Sequence, residues 1–180
     1  MSNDVKFVGG DAIVITRVLR GPVERVWDYL VKDELRRKWF CAGDVSEEVG
    51  GRIEFDFDHS RFCPSPPPPE YEGSEPVSFQ GEVLSYRPPE ELSFTWPEAE
   101  AGPGTKVTIT LFAKGDDVEL SLKHERLDNV DYKIGAAAGW HAHLDVLDDI
   151  LDTRDVRDFW ENEQALEAHY REVFRAPKVT

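Results

Sequence analysis

His124, His141 and His143 are the residues of this chain whose type and spacing invite a chemical role, because three imidazoles could hold a metal ion. His141 and His143 stand two apart in a stretch with helical periodicity. On a helix, residues two apart point about 200° from one another, so the two rings diverge rather than converge. His141 falls near Asp145 and Asp148 on the polar side, and His143 borders Leu147 and Ile150. No metal site is expected.

His124 is a different case. It shares the parity of Val118, Leu120 and Leu122 on a strand, so it points inward. A satisfied core histidine and a ligand-facing one both fit that position, and either needs a hydrogen-bond partner. No Ser–His–Asp or Cys–His spacing accompanies it. Cys41 and Cys63 have no neighbour in sequence that would lower a thiol pKa. Gly50-Gly51 is a turn and not a phosphate cradle, since no lysine-containing phosphate loop follows. Catalytic residues and cofactors are therefore not expected.

The element that must position these groups runs from Gly139 to Asp152. Ala137, Trp140, Leu144, Leu147 and Leu151 recur at spacings of three and four, one apolar face of a helix. Asp145, Asp148, Asp149 and Asp152 are expected on the opposite side, toward water. Such a stripe needs a hydrophobic floor, and the residues before it read as a sheet. Ala12 to Leu19 alternates as a strand, with Arg17 at an inward position where it must find a partner or an exposed end. Gly21-Pro22 breaks it, and Val23, Val26, Trp27 and Leu30 stripe a helix that Pro22 starts. A second short helix spans Asp33 to Trp39, with Asp33 as a candidate cap.

From there the period changes to two. Ile53, Phe55 and Phe57 alternate with acidic residues as a half-buried strand. His59 to Pro76, with prolines at 66 to 69, reads as a stiff surface loop, an insertion whose prolines cannot join a ladder. Val77 to Arg87, Leu92 to Trp96, Thr105 to Lys114 and Val118 to Arg126 complete an antiparallel meander. Its turns fall at 88–90, 101–104 and 115–116.

Strand, two short helices, meander and long helix make up the helix-grip plan, an α+β fold. The chain resembles the SRPBCC superfamily, which includes START and pollen-allergen-like proteins, and more narrowly the branch named after the activator of heat shock protein 90 ATPase. The resemblance rests on the stretch from Arg20 to Trp27, the Trp39 region, Gly50-Gly51-Arg52 and Phe79 to Val83. Pro88 to Leu92, Leu120 to Glu125 and Gly139-Trp140 carry it further, over roughly Ile13 to Leu151. It implies a curved sheet around the long helix. It does not fix a function, because the superfamily hosts carriers, cyclases, toxin-resistance proteins and chaperone partners.

Two features depart from that plan: the proline insertion and everything after Asp152. The chain therefore divides into a helix-grip domain at 1–153 and a tail at 154–180. Val156, Phe159, Trp160, Leu166, Tyr170, Val173 and Phe174 stripe a helix from about Arg154 to Arg175, and Glu163 and Glu167 interrupt the stripe. These aromatics need cover, from their own domain or from a second chain. With the sheet already gripping one helix, a homodimer through Phe159, Trp160, Tyr170 and Phe174 is the expected solution.

In 180 residues there is room for one domain with a substantial core. The formal charge of −15 excludes nucleic acid and anionic membranes as partners. The absence of a secretory pattern and of a spanning run suggests a cytosolic protein with reduced thiols. A sheet curled under one helix leaves a concave apolar space. Trp39, Phe40, Phe55, Phe57, Trp96, His124 and Trp140 are the expected lining, suited to a hydrophobic or aromatic small molecule held for carriage, sensing or resistance. Two other functions are open. One is a protein-interaction module like the chaperone ATPase activators, and the other a cyclase or hydrolase, which needs a polar pocket.

Overall fold

A single antiparallel sheet of seven strands, in the order β1-β2-β7-β6-β5-β4-β3, curls around one long helix. The computed structural model describes residues 5–97 and 104–175, so of the turn expected at 101–104 only Gly104 lies within the described residues. The strands are β1 (Lys6–Val8), β2 (Ala12–Arg20), β3 (Arg52–Phe57), β4 (Val77–Arg87), β5 (Glu91–Thr95), β6 (Lys106–Lys114) and β7 (Asp117–Glu125). Helices α1 (Val23–Val31) and α2 (Asp33–Arg36) cross between β2 and β3, and α3 (Val130–Leu151) and α4 (Phe159–Arg175) end the chain. This is the α+β helix-grip architecture, with a further helix after it.

The alternation along the strands puts one face in the core. Ile13, Ile15 and Leu19 from β2 meet Val118, Leu120 and Leu122 from β7 and Val107 and Ile109 from β6, all nearly inaccessible. Register places His124 between Ile13 and Val107, on the same inward face. Where β4 curves, Gly81 lets the backbone of β5 approach closely. A Cβ there would sit 2.4 Å from the Thr95 carbonyl oxygen.

Helix α3 starts where the Asn129 side chain accepts from the Tyr132 amide at 2.9 Å. Its 22 residues extend about 33 Å, and Ala137, Trp140, Leu144, Leu147 and Leu151 are buried as the spacing predicts. The opposite face is buried as well, because α4 lies along it. Asp145 and Asp149, expected to face water, are enclosed there. The Asp145 carboxylate meets Arg17 at 3.6 Å and Arg157 at 3.3 Å, and Asp149 meets Arg157 at 2.7 Å and Arg154 at 3.2 Å. Arg17, inward on β2, thus finds the partner its position demanded. A buried carboxylate without such cations would neutralise or unfold the site, so these pairs are what allow α4 to dock.

Helix α4 also corrects the reading of the tail. Phe159, Trp160 and Tyr170 are buried within their own chain, so the reason for a covering partner falls away. The Tyr170 hydroxyl accepts from the Val5 amide at 3.0 Å and lies 2.6 Å from His141 Nδ1. Phe7 on β1, a strand too short to read from the sequence, packs edge-on against Tyr170 and Phe174. Phe174 is 37% exposed and only partly covered. The proline-rich segment is an irregular, largely exposed loop, as expected, and its inner side is docked: its short helical turns at His59–Arg61 and Pro69–Tyr71 fold against α4, with Tyr71 stacked on Trp160 at 5.2 Å.

Candidate functional site

Between the sheet, α3, α4 and the proline-rich segment lies a cavity of about 960 Å³. One side is aromatic. Phe40, from the end of the α2 segment, sits 4.9 Å from Trp140 on α3, and Trp96, following β5, lies 5.5 Å from Trp140. Phe57 and Phe79 from β3 and β4 continue the same wall, with ring centroids 5.8 Å apart.

The structure brings together Phe40, Phe57, Trp96, His124 and Trp140 around this space. It does not bring Trp39 or Phe55 to it, and the expected lining is corrected there. Trp39 lies behind Phe40, its Nε1 donating to the Tyr29 carbonyl at 2.8 Å. Phe55 is packed into the sheet against Phe79 and Phe94, one layer below the surface of the cavity. Phe55 has the inward parity of β3, and both are fully buried, behind Phe40 and Phe79.

His124 carries the polar detail of the aromatic side. Its Nδ1 accepts from Trp140 Nε1 at 3.2 Å, so in the neutral ring the proton sits on Nε2. Burial holds the ring neutral, with its pKa lowered to about 3. Nε2–H is buried and has no hydrogen-bond partner among the described residues. A polar donor is thus left unmatched on a wall made of hydrocarbon.

The opposite side of the cavity is polar, and sequence reasoning missed it. His143 Nδ1 lies 2.7 Å from the Trp39 carbonyl oxygen, which can only accept, so Nδ1 carries the proton. Burial, and then the neighbouring His59, push His143 well below the ordinary imidazole range, so its Nε2 is a bare acceptor. The partner 3.2 Å away, His59 Nε2, must then donate. His59 Nδ1 in turn contacts Glu75 Oε1. Phe159 stacks over His59 with centroids 4.3 Å apart, closing the chain from solvent. Beyond it Tyr71, Trp160, Glu163, Glu167 and Arg171 form the rim.

Three signals for this half were present in the sequence. Glu163 interrupts an apolar stripe, His59 begins the loop directly after a strand, and Gly135 and Gly139 stand four apart within a helix. Those glycines face the cavity, and a Cβ at either would meet nothing within 4 Å. His141 and His143 do face different neighbours. Among the described residues no group of three His, Cys, Asp or Glu side chains is placed to hold a metal ion, and no helix is long and apolar enough to cross a membrane. Cys41 and Cys63 are buried free thiols, and burial raises the Cys41 pKa despite Arg36 Nη2 at 3.3 Å from its sulfur.

The family described as activator of Hsp90 ATPase homolog 1-like protein matches residues 20–152. Among solved structures, the BPP1335 gene product of Bordetella parapertussis is similar at 28% identity. The match covers 96% of this chain and 90% of that one, with a TM-score of 0.81. CalU16 from Micromonospora echinospora shares 18% identity over 96% of each chain, with a TM-score of 0.66. The Aha1 dimer from Colwellia psychrerythraea shares 18% identity over 78% of this chain and 95% of that one, with a TM-score of 0.59. No curated protein matches this chain. At identities this low, the last two structures establish the shared fold alone.

Proposed function

The chain belongs to the family of activator of Hsp90 ATPase homolog 1-like proteins, and we propose that this member binds a hydrophobic or aromatic small molecule in the cavity under α3. One observation carries the reading: α3 gives up helix stability where it faces the cavity. A glycine inside a helix costs roughly 0.5–1 kcal/mol relative to alanine. Gly135 and Gly139 sit on the cavity face, with open space where a side chain would go. If the fold needed only a core, larger side chains there would fill the void, since cavities destabilise. The size of the space matches that of small-molecule sites, mostly apolar with few polar groups. His124 Nε2–H supplies one such group, a donor suited to a ligand carbonyl, ether or phenolic oxygen.

The arrangement favours binding over turnover. His124 touches an indole rather than a carboxylate or a nucleophile, which separates this reading from a cyclase or hydrolase. A regulatory module for a chaperone would place its working residues on an outer surface rather than in a cavity.

Titration of the full chain with N-phenyl-1-naphthylamine, a neutral probe that fluoresces in apolar surroundings, tests the proposal. Saturable one-to-one binding is expected, abolished by Gly139→Leu, which fills the space. If Gly139→Leu binds as tightly as the parent, the ligand site is elsewhere and the reading is wrong.

A further inference from the structure

Glu163 is the buried carboxylate of the cavity lining that no cation pairs among the described residues. Arg171 is fully engaged. It donates to Glu167 from both Nε and Nη2, and to Asp131 from Nη1 at 3.2 Å. Glu75 has His59. Glu163, on the buried face of α4 and only 4% exposed, has no salt-bridge partner among the described residues. Its Oε2 has no hydrogen-bond partner among the described residues, and it lines the cavity. Tyr71 interacts with it through the phenol, and Glu167 and Glu70 add negative charge rather than relieving it. Beside it, the stacked rings of Tyr71 and Trp160 border the same space.

A buried carboxylate without a cation is costly, and aromatic faces attract cations by the quadrupole of the ring. Glu163 also breaks an otherwise apolar helix stripe, so it cannot be explained as packing. We propose that the bound molecule is an organic cation. Its aromatic or alicyclic body lies in the cavity against the wall of Phe40, Trp96 and Trp140, and its ammonium is held by Glu163 beside Tyr71 and Trp160.

This inference rests on the proposed binding function and narrows it to a ligand class. The alternative occupant of the carboxylate is a proton. Burial, followed by repulsion from Glu167, raises the Glu163 pKa to about 7. Proton and ammonium therefore compete for one oxygen, and affinity for a cation should rise as the proton leaves.

The test uses three probes with one naphthalene body: 1-naphthylmethylamine, 1-naphthalenemethanol and 1-naphthoate. Each is titrated into the full chain while tryptophan fluorescence is followed. At pH 8 the amine is expected to bind about tenfold tighter than the alcohol, the ratio that one buried charge-assisted hydrogen bond supplies. The naphthoate is expected to bind weakest. In Glu163→Gln the amine should lose that advantage. In the parent protein its affinity should rise between pH 6 and pH 8, a range over which the ammonium stays charged, while the alcohol's does not. The pH series needs no variant, so it decides the matter even if Glu163→Gln fails to fold.

If the three probes bind equally, the cation assignment is wrong and the cavity reading stands. If naphthoate binds best, or Glu163→Gln keeps the preference for the amine, the assignment to Glu163 is overturned. If none of the three binds, both readings fall.

Discussion

The Trp140 indole nitrogen donates to His124 Nδ1 across 3.2 Å, joining the gripping helix to the centre of the sheet. This bond sets the tautomer of His124 and leaves its Nε2–H, on a ring that lines the cavity, without a partner among the described residues. A tryptophan at this point of α3 therefore both packs the interface and prepares a donor. A neutral histidine is required, since a charged ring would carry a proton on Nδ1 as well, facing an indole N–H that cannot accept.

The stability of the protein should therefore depend on this residue in acid. The folded-state pKa of about 3 lies below the ordinary imidazole value of 6.5. Between those values the unfolded chain binds a proton that the folded chain does not, so folding stability falls as pH drops below about 6.5. Each pH unit in that window costs roughly 1.4 kcal/mol for one such group. His124→Gln keeps an acceptor for the indole and removes the titration. Urea midpoints at pH 7 and pH 5 should fall less for His124→Gln than for the parent. Equal losses would show that His124 is not the buried neutral base described.

Gly135→Ala and Gly139→Ala should each stabilise the protein. The backbone of both positions is helical and the space beyond is open, so alanine removes unfolded-state entropy without a clash. A gain of roughly 0.5–1 kcal/mol per site is expected in chemical unfolding. A loss at either position would mean that the wall is closer than 4 Å and the cavity smaller.

How much of this was legible follows from which forces act locally. The stripe from Ala137 to Leu151, the alternation around His124 and the short helix after Pro22 are periodic signals, and periodicity is set by the backbone itself. The aromatic side of the cavity follows from parity, apart from Trp39 and Phe55, which parity alone cannot tell from the residues that shield them. The polar half depends on contacts far apart in sequence. His59 meets His143 across 84 positions, and no local pattern announces such a pairing. Asp145 and Asp149 were misplaced for the same reason: their burial is caused by α4, and their partners Arg154 and Arg157 lie beyond the helix end. Glu163 was visible as an interruption, but its meaning needed the cavity.

The cluster that docks α4 should be sensitive to loss of one charge. Asp145→Ala leaves the enclosed Arg17 guanidinium without its carboxylate. Removing one member of a buried pair costs about 3–5 kcal/mol. Burial already lowers the Arg17 pKa while Asp145 opposes that effect, so the arginine depends on this neighbour. Urea unfolding of Asp145→Ala with an unchanged m-value and a loss under about 1 kcal/mol would show that the pair is solvated and the docking of α4 loose.

Glu163→Gln should be more stable than the parent at pH 8 in the absence of ligand. The folded-state pKa of about 7 lies above the ordinary glutamate value of 4.5. Between these values the folded chain holds a proton the unfolded chain has lost, so the stability of the parent declines as pH rises from about 4.5 to about 7. The amide has no such titration. Thermal midpoints of the two proteins should therefore diverge between pH 5 and pH 8, with the variant higher at pH 8. Parallel curves would place Glu163 in water.

Removing residues from Arg154 onward tests the role of the tail most directly. The truncation uncovers His141, Asp145 and Asp149 on α3 and takes away one wall of the cavity. It also deletes Phe159, Trp160 and Tyr170. Burying each contributes roughly 1.5–3 kcal/mol, which together approaches the total stability of an ordinary domain, about 5–15 kcal/mol. The shortened chain should therefore lose its sharp thermal transition and its near-ultraviolet circular dichroism, and should bind dyes that report exposed apolar surface. A tail that instead covered a second chain would leave a different signature. The truncated protein would then keep its transition within a few degrees while its mass in light scattering fell by half. That outcome would overturn the packing of α4 on α3 and restore the homodimer that the aromatic stripe first suggested.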